Sequence, residues 1–257
     1  MRILLPPSEG KTPPAAGPPV DLAGFGVPVP GRDTVLDALV SLCRAEPERA
    51  VSLLKLSKGQ AAEVTRDAAL PTAPAAPAGQ VYSGVLFDAF GLAALPEPAR
   101  TVAAESVWIF SGLWGVVRPD DLIPAYRCPG TATLPGLGDE RPMSVTRFWR
   151  DRLAAVLDPL VADELVVDLR SYTYVAMWRP RRAVAIRVLH EREVAGERVR
   201  TVVSHFNKAT KGRLAARLVT EGVVCRDVAE LTVALKDLGY RVERHPSGAL
   251  DIIVEEL

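Results

Sequence analysis

The amino-acid sequence predicts a mixed α/β or α+β fold, in which strands and helices alternate along the chain. Short apolar runs typical of buried strands recur between segments that carry apolar residues at helical spacing. The 257 residues, of which 48% are apolar, suffice for a sizeable core in one large domain or two small ones. No internal repeat is visible.

The strands are predicted from strand-forming runs that end at turn residues. In chain order they are expected at 2–5, 107–110, 164–169, 183–190, 198–206, 240–245 and 249–254. Pro6 and Pro7 end the first strand, and the last two strands form a hairpin. A second hairpin is expected to turn at Ala195-Gly196-Glu197.

The helices are predicted from apolar residues at helical spacing. They are expected at 33–44, 47–54, 59–69, 81–92, 144–160 and 227–238. Asp33 is expected to cap the first of them. A further helical pattern starts at Ser204, directly after a strand-like run that ends in Val203.

The composition narrows the classes of function. A net charge of zero argues against a protein that coats nucleic acid with its whole surface, but it leaves room for a local basic groove. The three cysteines follow no metal-ligand pattern, so we expect free thiols in a reducing cytoplasm and predict neither a metal nor a cofactor. The opening residues are too short for a signal peptide, and no run approaches the roughly 20 apolar residues of a membrane span.

Positive charge is concentrated between Arg200 and Arg217, where five Lys or Arg residues occur without an Asp or Glu. A strand-to-helix junction in this stretch offers unpaired N–H groups and a helix dipole to an anion. At 100° per residue, Lys208 and Lys211 share the stripe that becomes apolar core two turns later, whereas Arg213 falls on the solvent side. Because a buried unpaired ammonium is costly, inward-facing lysines predict a cleft. The alternative is that both lysines extend to solvent past the first turn.

Two short helices flank the segment Lys55-Leu56-Ser57-Lys58-Gly59. Residues 47–69 together resemble a helix–hairpin–helix element, which presents backbone amides and lysines to a DNA phosphate. Lys55, Lys58 and Gly59 are therefore expected to contact DNA. Ordinary packing of a helical hairpin is the alternative.

Four polar clusters, at 8–12, 111–127, 170–174 and 204–213, lie at predicted strand ends or turns, where sheets of this class place ligand sites. Their cations suit a phosphate and their tyrosines suit a flat ring. Asp121 is expected to hold a structural turn through a salt bridge to an arginine. The residues expected to bind an anion in the cleft are Ser8, Lys11, Thr12, Arg118, Tyr126, Arg127, Tyr174, Lys208, Lys211 and Arg213.

Six short motifs follow one another along the chain. They are Pro6-Pro7-Ser8-x-x-Lys11-Thr12, Tyr82-Ser83-Gly84, Ser111-Gly112-Leu113-x-Gly115, Arg118-Pro119-x-Asp121, Pro124-x-Tyr126-Arg127 and Lys208-x-x-Lys211-Gly212. In this order and spacing the sequence resembles the YaaA family of peroxide-stress proteins over nearly its whole length. The resemblance implies one mixed α/β domain over residues 1–257, with a mixed sheet, flanking helices, a positively charged cleft and a helix–hairpin–helix element. It also implies DNA binding, and a peroxide response that limits oxidative DNA damage and free iron.

The sequence departs from the family pattern at three places in the expected cleft. Glu9-Gly10 is inserted before Lys11, and Ala125 stands where a proline is expected directly before Tyr126. Residues 171–174 read Ser-Tyr-Thr-Tyr where relatives often carry an Asp and a Glu. Because Glu9-Gly10 and Tyr172-Thr173 lie in the expected cleft, these changes bear on the choice of ligand.

Two functions remain open at this point. The first, which the resemblance favours, is binding of double-stranded DNA in an open basic groove, with a salt-sensitive affinity. The second is an enzyme that holds a nucleotide, a nucleobase or another phosphate-bearing small molecule in a closed pocket of several hundred Å³. The histidines His190, His205 and His245 are scattered, and His205 is expected to be structural. The sequence specifies neither a reaction nor an oligomeric state, and no membrane partner is expected.

Overall fold

The computed structural model describes residues 1–138, 141–194, 197–202 and 204–255. Within these residues the strands are β1 (Arg2–Leu5), β2 (Ala76–Pro77), β3 (Val107–Ser111), β4 (Gly115–Val117), β5 (Leu122–Ile123), β6 (Thr133–Leu134), β7 (Met143–Ser144), β8 (Val166–Asp168), β9 (Ala183–Val194), β10 (Glu197–Thr201), β11 (Arg241–Arg244) and β12 (Leu250–Glu255). The α-helices are α1 (Arg32–Ala45), α2 (Pro47–Leu53), α3 (Ala62–Ala68), α4 (Ala78–Val81), α5 (Val85–Phe90), α6 (Glu97–Ser106), α7 (Val145–Leu160), α8 (Tyr172–Val175), α9 (Ser204–Thr220) and α10 (Val228–Asp237).

The main sheet of the described chain has eight strands and mixed direction. Seven of them follow the order β11-β12-β9-β8-β1-β3-β4, and β10 pairs with the far end of β9. Strand β1 lies between β3 and β8 and runs parallel to both. The carboxyl ends of these three strands therefore meet at one edge of the sheet, where ligand sites are usually found.

The central strands are apolar because they are buried on both faces, as parallel strands usually are. Ile3, Leu4 and Leu5 of β1 are buried, as are all residues of β3 and β8. One continuous apolar core joins these strands to the surrounding helices. The predicted mixed α/β single domain, with a mixed sheet and flanking helices, is thereby confirmed.

Helix α9 carries the basic stretch and packs closely against α5. Gly212 makes this close approach feasible, because a Cβ at this position would collide with the carbonyl oxygen of Leu86 and lie 2.9 Å from the Cβ of Ala89. The glycine of the Lys208-x-x-Lys211-Gly212 motif thus fixes the position from which the two lysines project.

Two sequence predictions need correction. The strand predicted at 198–206 ends at Thr201, and Ser204 already begins helix α9. The helix α1 is capped at Gly31, which has a left-handed backbone, and the Asp33 carboxylate instead accepts a hydrogen bond from Thr34 N within the first turn.

The predicted hairpin turn includes Ala195 and Gly196, which lie outside the described residues. Within the described chain, no helix has both the length and the apolar character needed to cross a membrane.

The packing of α9 leads to a first prediction. Gly212→Ala is expected to reduce the free energy of unfolding by about 1–3 kcal/mol, although alanine has the higher helix propensity, because the added methyl group overpacks the contact with α5. Thermal melts of the variant and the wild type measure this. Gly59→Ala is the control, since a Cβ there meets nothing within 4 Å. A Gly212→Ala protein that melts at or above the wild-type temperature would contradict this role of Gly212.

Candidate functional site

A cavity of about 500 Å³ lies at the carboxyl ends of β1 and β8; we call it the strand-end cavity. The chain that leaves β1 forms one wall and the chain that leaves β8 forms another, while the first turns of α9 and α5 close it from the side. Its lining consists of residues 6–11, 83–87 and 127–129, with Leu169, Ser171, Tyr174, Asn207, Lys208 and Lys211.

Lys11 lies on the wall formed after β1. Its backbone forms an isolated bridge with Tyr82, and its Nζ donates to the carbonyl oxygen of Ser8 at 2.8 Å. The ammonium lies 4.2 Å from the ring centre of Tyr126 and 5.3 Å from that of Tyr82. Burial, and secondly the neighbouring Arg127, lowers the pKa of Lys11 to about 7. Desolvation thus outweighs the attraction of the two ring faces for a cation.

A chain of hydrogen-bonded, buried hydroxyl groups fixes the position of the aromatic rings that contact Lys11. The Tyr126 hydroxyl contacts that of Tyr82 at 2.8 Å and that of Ser111 at 2.6 Å. Ser111 Oγ also accepts hydrogen bonds from the N–H groups of Leu113 and Trp114. The motifs that contain Tyr82, Ser111 and Tyr126 therefore meet in one hydrogen-bond network. This network holds the Tyr126 ring against the ammonium of Lys11.

Arg127 faces the cavity beside Lys11. Its guanidinium donates to the Glu9 carbonyl oxygen at 3.2 Å and to the Glu9 carboxylate at 3.3 Å. Glu9 thus brings a carboxylate to one of the cations of the cavity.

Asp67 is a buried charged residue that the sequence analysis did not single out. One carboxylate oxygen accepts a hydrogen bond from Arg127 N at 2.9 Å, and the other has no hydrogen-bond partner among the described residues. Burial raises the pKa of Asp67 to about 8, against the opposing hydrogen bond from Arg127. Its position three residues after buried Val64 on α3 was the available signal, because that spacing places a carboxylate on the inward face of a helix.

Helix α9 supplies the opposite wall. Lys211 Nζ donates to the carbonyl oxygen of Leu169 at 3.0 Å, and burial lowers the pKa of this lysine, although Asp168 opposes the shift. Lys208 is exposed and lines the cavity one turn earlier. The Oδ1 atom of Asn207 is buried and has no hydrogen-bond partner among the described residues.

Ser8 and Tyr174 complete the group of predicted residues that line the cavity. Ser8 Oγ accepts from Ser83 N at 3.2 Å and donates to the carbonyl oxygen of Gly10, which holds the loop after β1 in place. The Tyr174 hydroxyl accepts from Gly130 N at 3.1 Å. The cavity thus combines Lys11, Arg127, Lys208 and Lys211 with an aromatic side chain.

Four predicted cleft residues do not line this cavity: Thr12, Arg118, Arg213 and also Tyr126, whose ring lies against Lys11. Thr12 is exposed and its N–H bonds to Val81 O, while Arg213 is exposed and donates to the hydroxyl of Thr210. Arg118 packs against Gly26. The expected salt bridge of Asp121 is also wrong in its detail, because this carboxylate accepts from the backbone N–H groups of Arg118 and Gly26.

The predicted DNA hairpin lies apart from the cavity lining. Lys55, Lys58 and Gly59 are exposed on the connection between α2 and α3. A capping box between Ser57 and Gln60 orders the turn, and Lys55 has a positive φ of 58°. The contact of these three residues with DNA stays a prediction. The side chain of His205 lies outside what the structure describes.

The described part of the chain contains no group of three or more His, Cys, Asp or Glu side chains arranged to hold a metal ion. Cys128 lines the cavity as a free thiol, and burial raises its pKa. The cations and aromatic rings that line the cavity can hold an anionic molecule that contains a ring. Because the pKa of Lys11 is lowered to about 7, its amine can gain or lose a proton near neutral pH.

The fold and the cavity together define a mixed α/β protein with a cation-lined cavity at its strand ends. The family model described as "Peroxide stress protein YaaA" matches residues 1–245. A UPF0246 protein of Streptomyces coelicolor is 44% identical over 265 aligned positions, which cover 100% of both chains. UPF0246 proteins of Corynebacterium efficiens and Corynebacterium glutamicum are 38% and 36% identical, with coverage of 95% and 96% of both chains. The chain belongs to the peroxide stress protein YaaA family, which confirms the resemblance.

The buried carboxyl group of Asp67 leads to a second prediction. Its pKa rises from 3.8 in the unfolded chain to about 8 in the fold, so the folded state binds more protons between these values and loses stability as pH rises through them. Asp67→Asn removes this titration. We expect the stability of the variant relative to wild type to increase as pH rises from about 4 to about 8.

Chemical denaturation at several pH values measures this difference. The Asp237→Asn variant is the control, because it makes the same change at an exposed position on α10. A pH-independent difference for Asp67→Asn would show that the carboxyl group ionises as easily in the fold as in the unfolded chain.

Proposed function

We propose that this protein serves the peroxide stress response by binding a nucleotide-type anion in the strand-end cavity. The observation that carries the proposal is that Lys11, Arg127, Lys208 and Lys211 line one cavity of about 500 Å³. These residues come from three separate parts of the chain, and the fold brings them together at the strand ends. Convergence of like charges is unfavourable in the free protein, and a bound anion relieves it.

The size of the cavity supports a small molecule over a duplex. Ligand pockets typically enclose about 300–1,000 Å³. A DNA duplex instead needs an open groove on the order of 10 Å wide. A phosphate group fits the cations, and the rings of Tyr174 and Phe87 on the lining offer apolar faces to a base.

Binding of DNA is the second candidate, and two exposed features support it. Lys208 lies at the cavity without being buried, and Lys55 and Lys58 extend from the turn at Gly59. Such lysines neutralise backbone phosphates independently of sequence. In this form of the proposal the helix–hairpin–helix element at 47–69 holds the DNA backbone. The three free cysteines accord with the reducing cytoplasm in which we place the protein.

A thermal-shift series tests the proposal. Sulfate, phosphate, purine mononucleotides and a short duplex are compared at matched ionic strength. We expect saturable stabilisation by a mononucleotide, because a ligand that binds only the folded state stabilises it by mass action. Stabilisation by duplex alone would instead support the DNA candidate, and a protein that responds to no anion would overturn both.

The exposed lysine at the cavity gives a sharper variant. Lys208→Ala is expected to weaken mononucleotide binding about 10-fold or more, the loss of one charge-assisted hydrogen bond. Lys236→Ala, an exposed lysine in the last turn of α10, is the matched control and should bind as wild type does. Equal affinities for the two variants would remove Lys208 from the site.

The DNA candidate has its own test. Changing both Lys55 and Lys58 to alanine should weaken duplex binding and flatten the log–log salt dependence by about two units. Filter binding or fluorescence anisotropy over a salt series measures the slope, again with Lys236→Ala as control. Unchanged affinity and slope would reduce the hairpin to ordinary helix packing.

A further inference from the structure

The choice of basic residue at the strand-end cavity differs from that in the rest of the chain. Only six of the 31 Lys and Arg residues are lysines, and three of those six line this one cavity. An arginine supplies positive charge equally well, and it binds phosphate in a fixed bidentate geometry. A lysine differs in that it loses its proton when buried, and its neutral amine is a nucleophile.

Lys11 has the surroundings that produce such an amine. Lys11 lines the cavity, and its Nζ is held against the ring faces of Tyr126 and Tyr82. The bond to the Ser8 carbonyl oxygen, at 2.8 Å, uses one N–H of the amine and leaves the nitrogen lone pair free in the neutral form. Desolvation beside another cation is one of the arrangements that activate a lysine, and Arg127 is that cation here.

The acidic groups that face Lys11 do not neutralise this effect. Asp67, Cys128 and Glu63 favour its charged form, yet burial and Arg127 prevail and bring its pKa to about 7. No carboxylate lies within 4.0 Å of its ammonium among the described residues, since Lys11 takes part in none of their salt bridges. Arg127 is itself paired with Glu9, and Glu63 with Arg66.

We infer that Lys11 is a nucleophilic lysine that forms an imine with a carbonyl compound whose anionic group binds the cations of the strand-end cavity. The amine nitrogen adds to the carbonyl carbon and gives a carbinolamine. Loss of water then forms the C=N bond, and the carbonyl oxygen leaves with the two amine hydrogens, so that no oxidant or reductant is needed. The inference rests on the proposed function only for the anchoring of the anionic group, by Lys208 and Lys211.

Reductive trapping of the whole protein tests the inference. The probe is pyridoxal 5′-phosphate, an aldehyde with a phosphate group, and pyridoxal is the matched probe without phosphate. Each is incubated at about pH 7 with sodium cyanoborohydride, and peptide mass spectrometry measures the rate of modification at each of the six lysines. We expect Lys11 to react about tenfold or more faster than exposed Lys236, with the phosphate adding to its advantage.

The pH dependence of labelling provides a readout that a structural role would not alter. The rate at Lys11 is expected to rise with pH and to level off above about pH 7, whereas the rate for a lysine with the usual pKa of about 10.4 would still be rising there. Lys11→Arg keeps the charge and should abolish the fast labelling. Since the wild-type comparison of Lys11 with Lys236 is decisive by itself, a variant that fails to fold does not weaken the test.

The outcomes separate this inference from the proposed function. Labelling of Lys11 no faster than that of Lys236 overturns the inference, and the proposed function stands if sulfate and nucleotides still stabilise the protein. Fast labelling of Lys11 by both probes at equal rates, without protection by sulfate, supports the nucleophile and removes the anion anchor. Fast labelling that the phosphate enhances and sulfate suppresses supports both.

Discussion

The properties of the site depend on the burial of one amine, that of Lys11. Lys11 lies on the segment that follows the central strand β1, whose carboxyl end meets those of its parallel neighbours β3 and β8. Placing an ammonium there without a close carboxylate is costly, so the surroundings must hold the side chain by other means. They do so with the Ser8 carbonyl oxygen and the faces of Tyr126 and Tyr82.

The electrostatics of the site follow from this arrangement. Burial, and after it the neighbouring Arg127, lowers the pKa of Lys11, and Arg127 also donates its backbone N–H to the buried Asp67. Burial favours the neutral form of both Lys11 and Asp67. The cavity and its surroundings therefore carry fewer charges than they would if all of their titratable residues were ionised. Glu9 is paired with Arg127 and further reduces the positive charge at the cavity.

Part of the site followed from sequence because strand ends and helix phase are local properties. The end of β1 and the inward stripe of α9 placed Lys11, Lys208 and Lys211 near one another before any tertiary contact was known. Arg118 and Arg213 were grouped with them because they belong to polar clusters at predicted strand ends or turns, but the turn at Asp121 and the exposed face of α9 direct them elsewhere. Asp67 was missed because its effect depends on the pairing of α3 with the distant Arg127, which a single sequence does not specify.

The protonation state of Lys11 can be measured without any ligand, and we expect this lysine to be largely neutral near physiological pH. Lysine labelled at Cε with carbon-13 gives one NMR signal for each of the six lysines, and Lys11→Arg assigns the relevant one. We predict that the Lys11 signal titrates with a pKa of about 7, well below the value of about 10.4 that is usual for a lysine side chain. If the Lys11 signal instead titrates near the usual lysine value of about 10.4, Lys11 is an ordinary solvated cation and this description of the site is wrong.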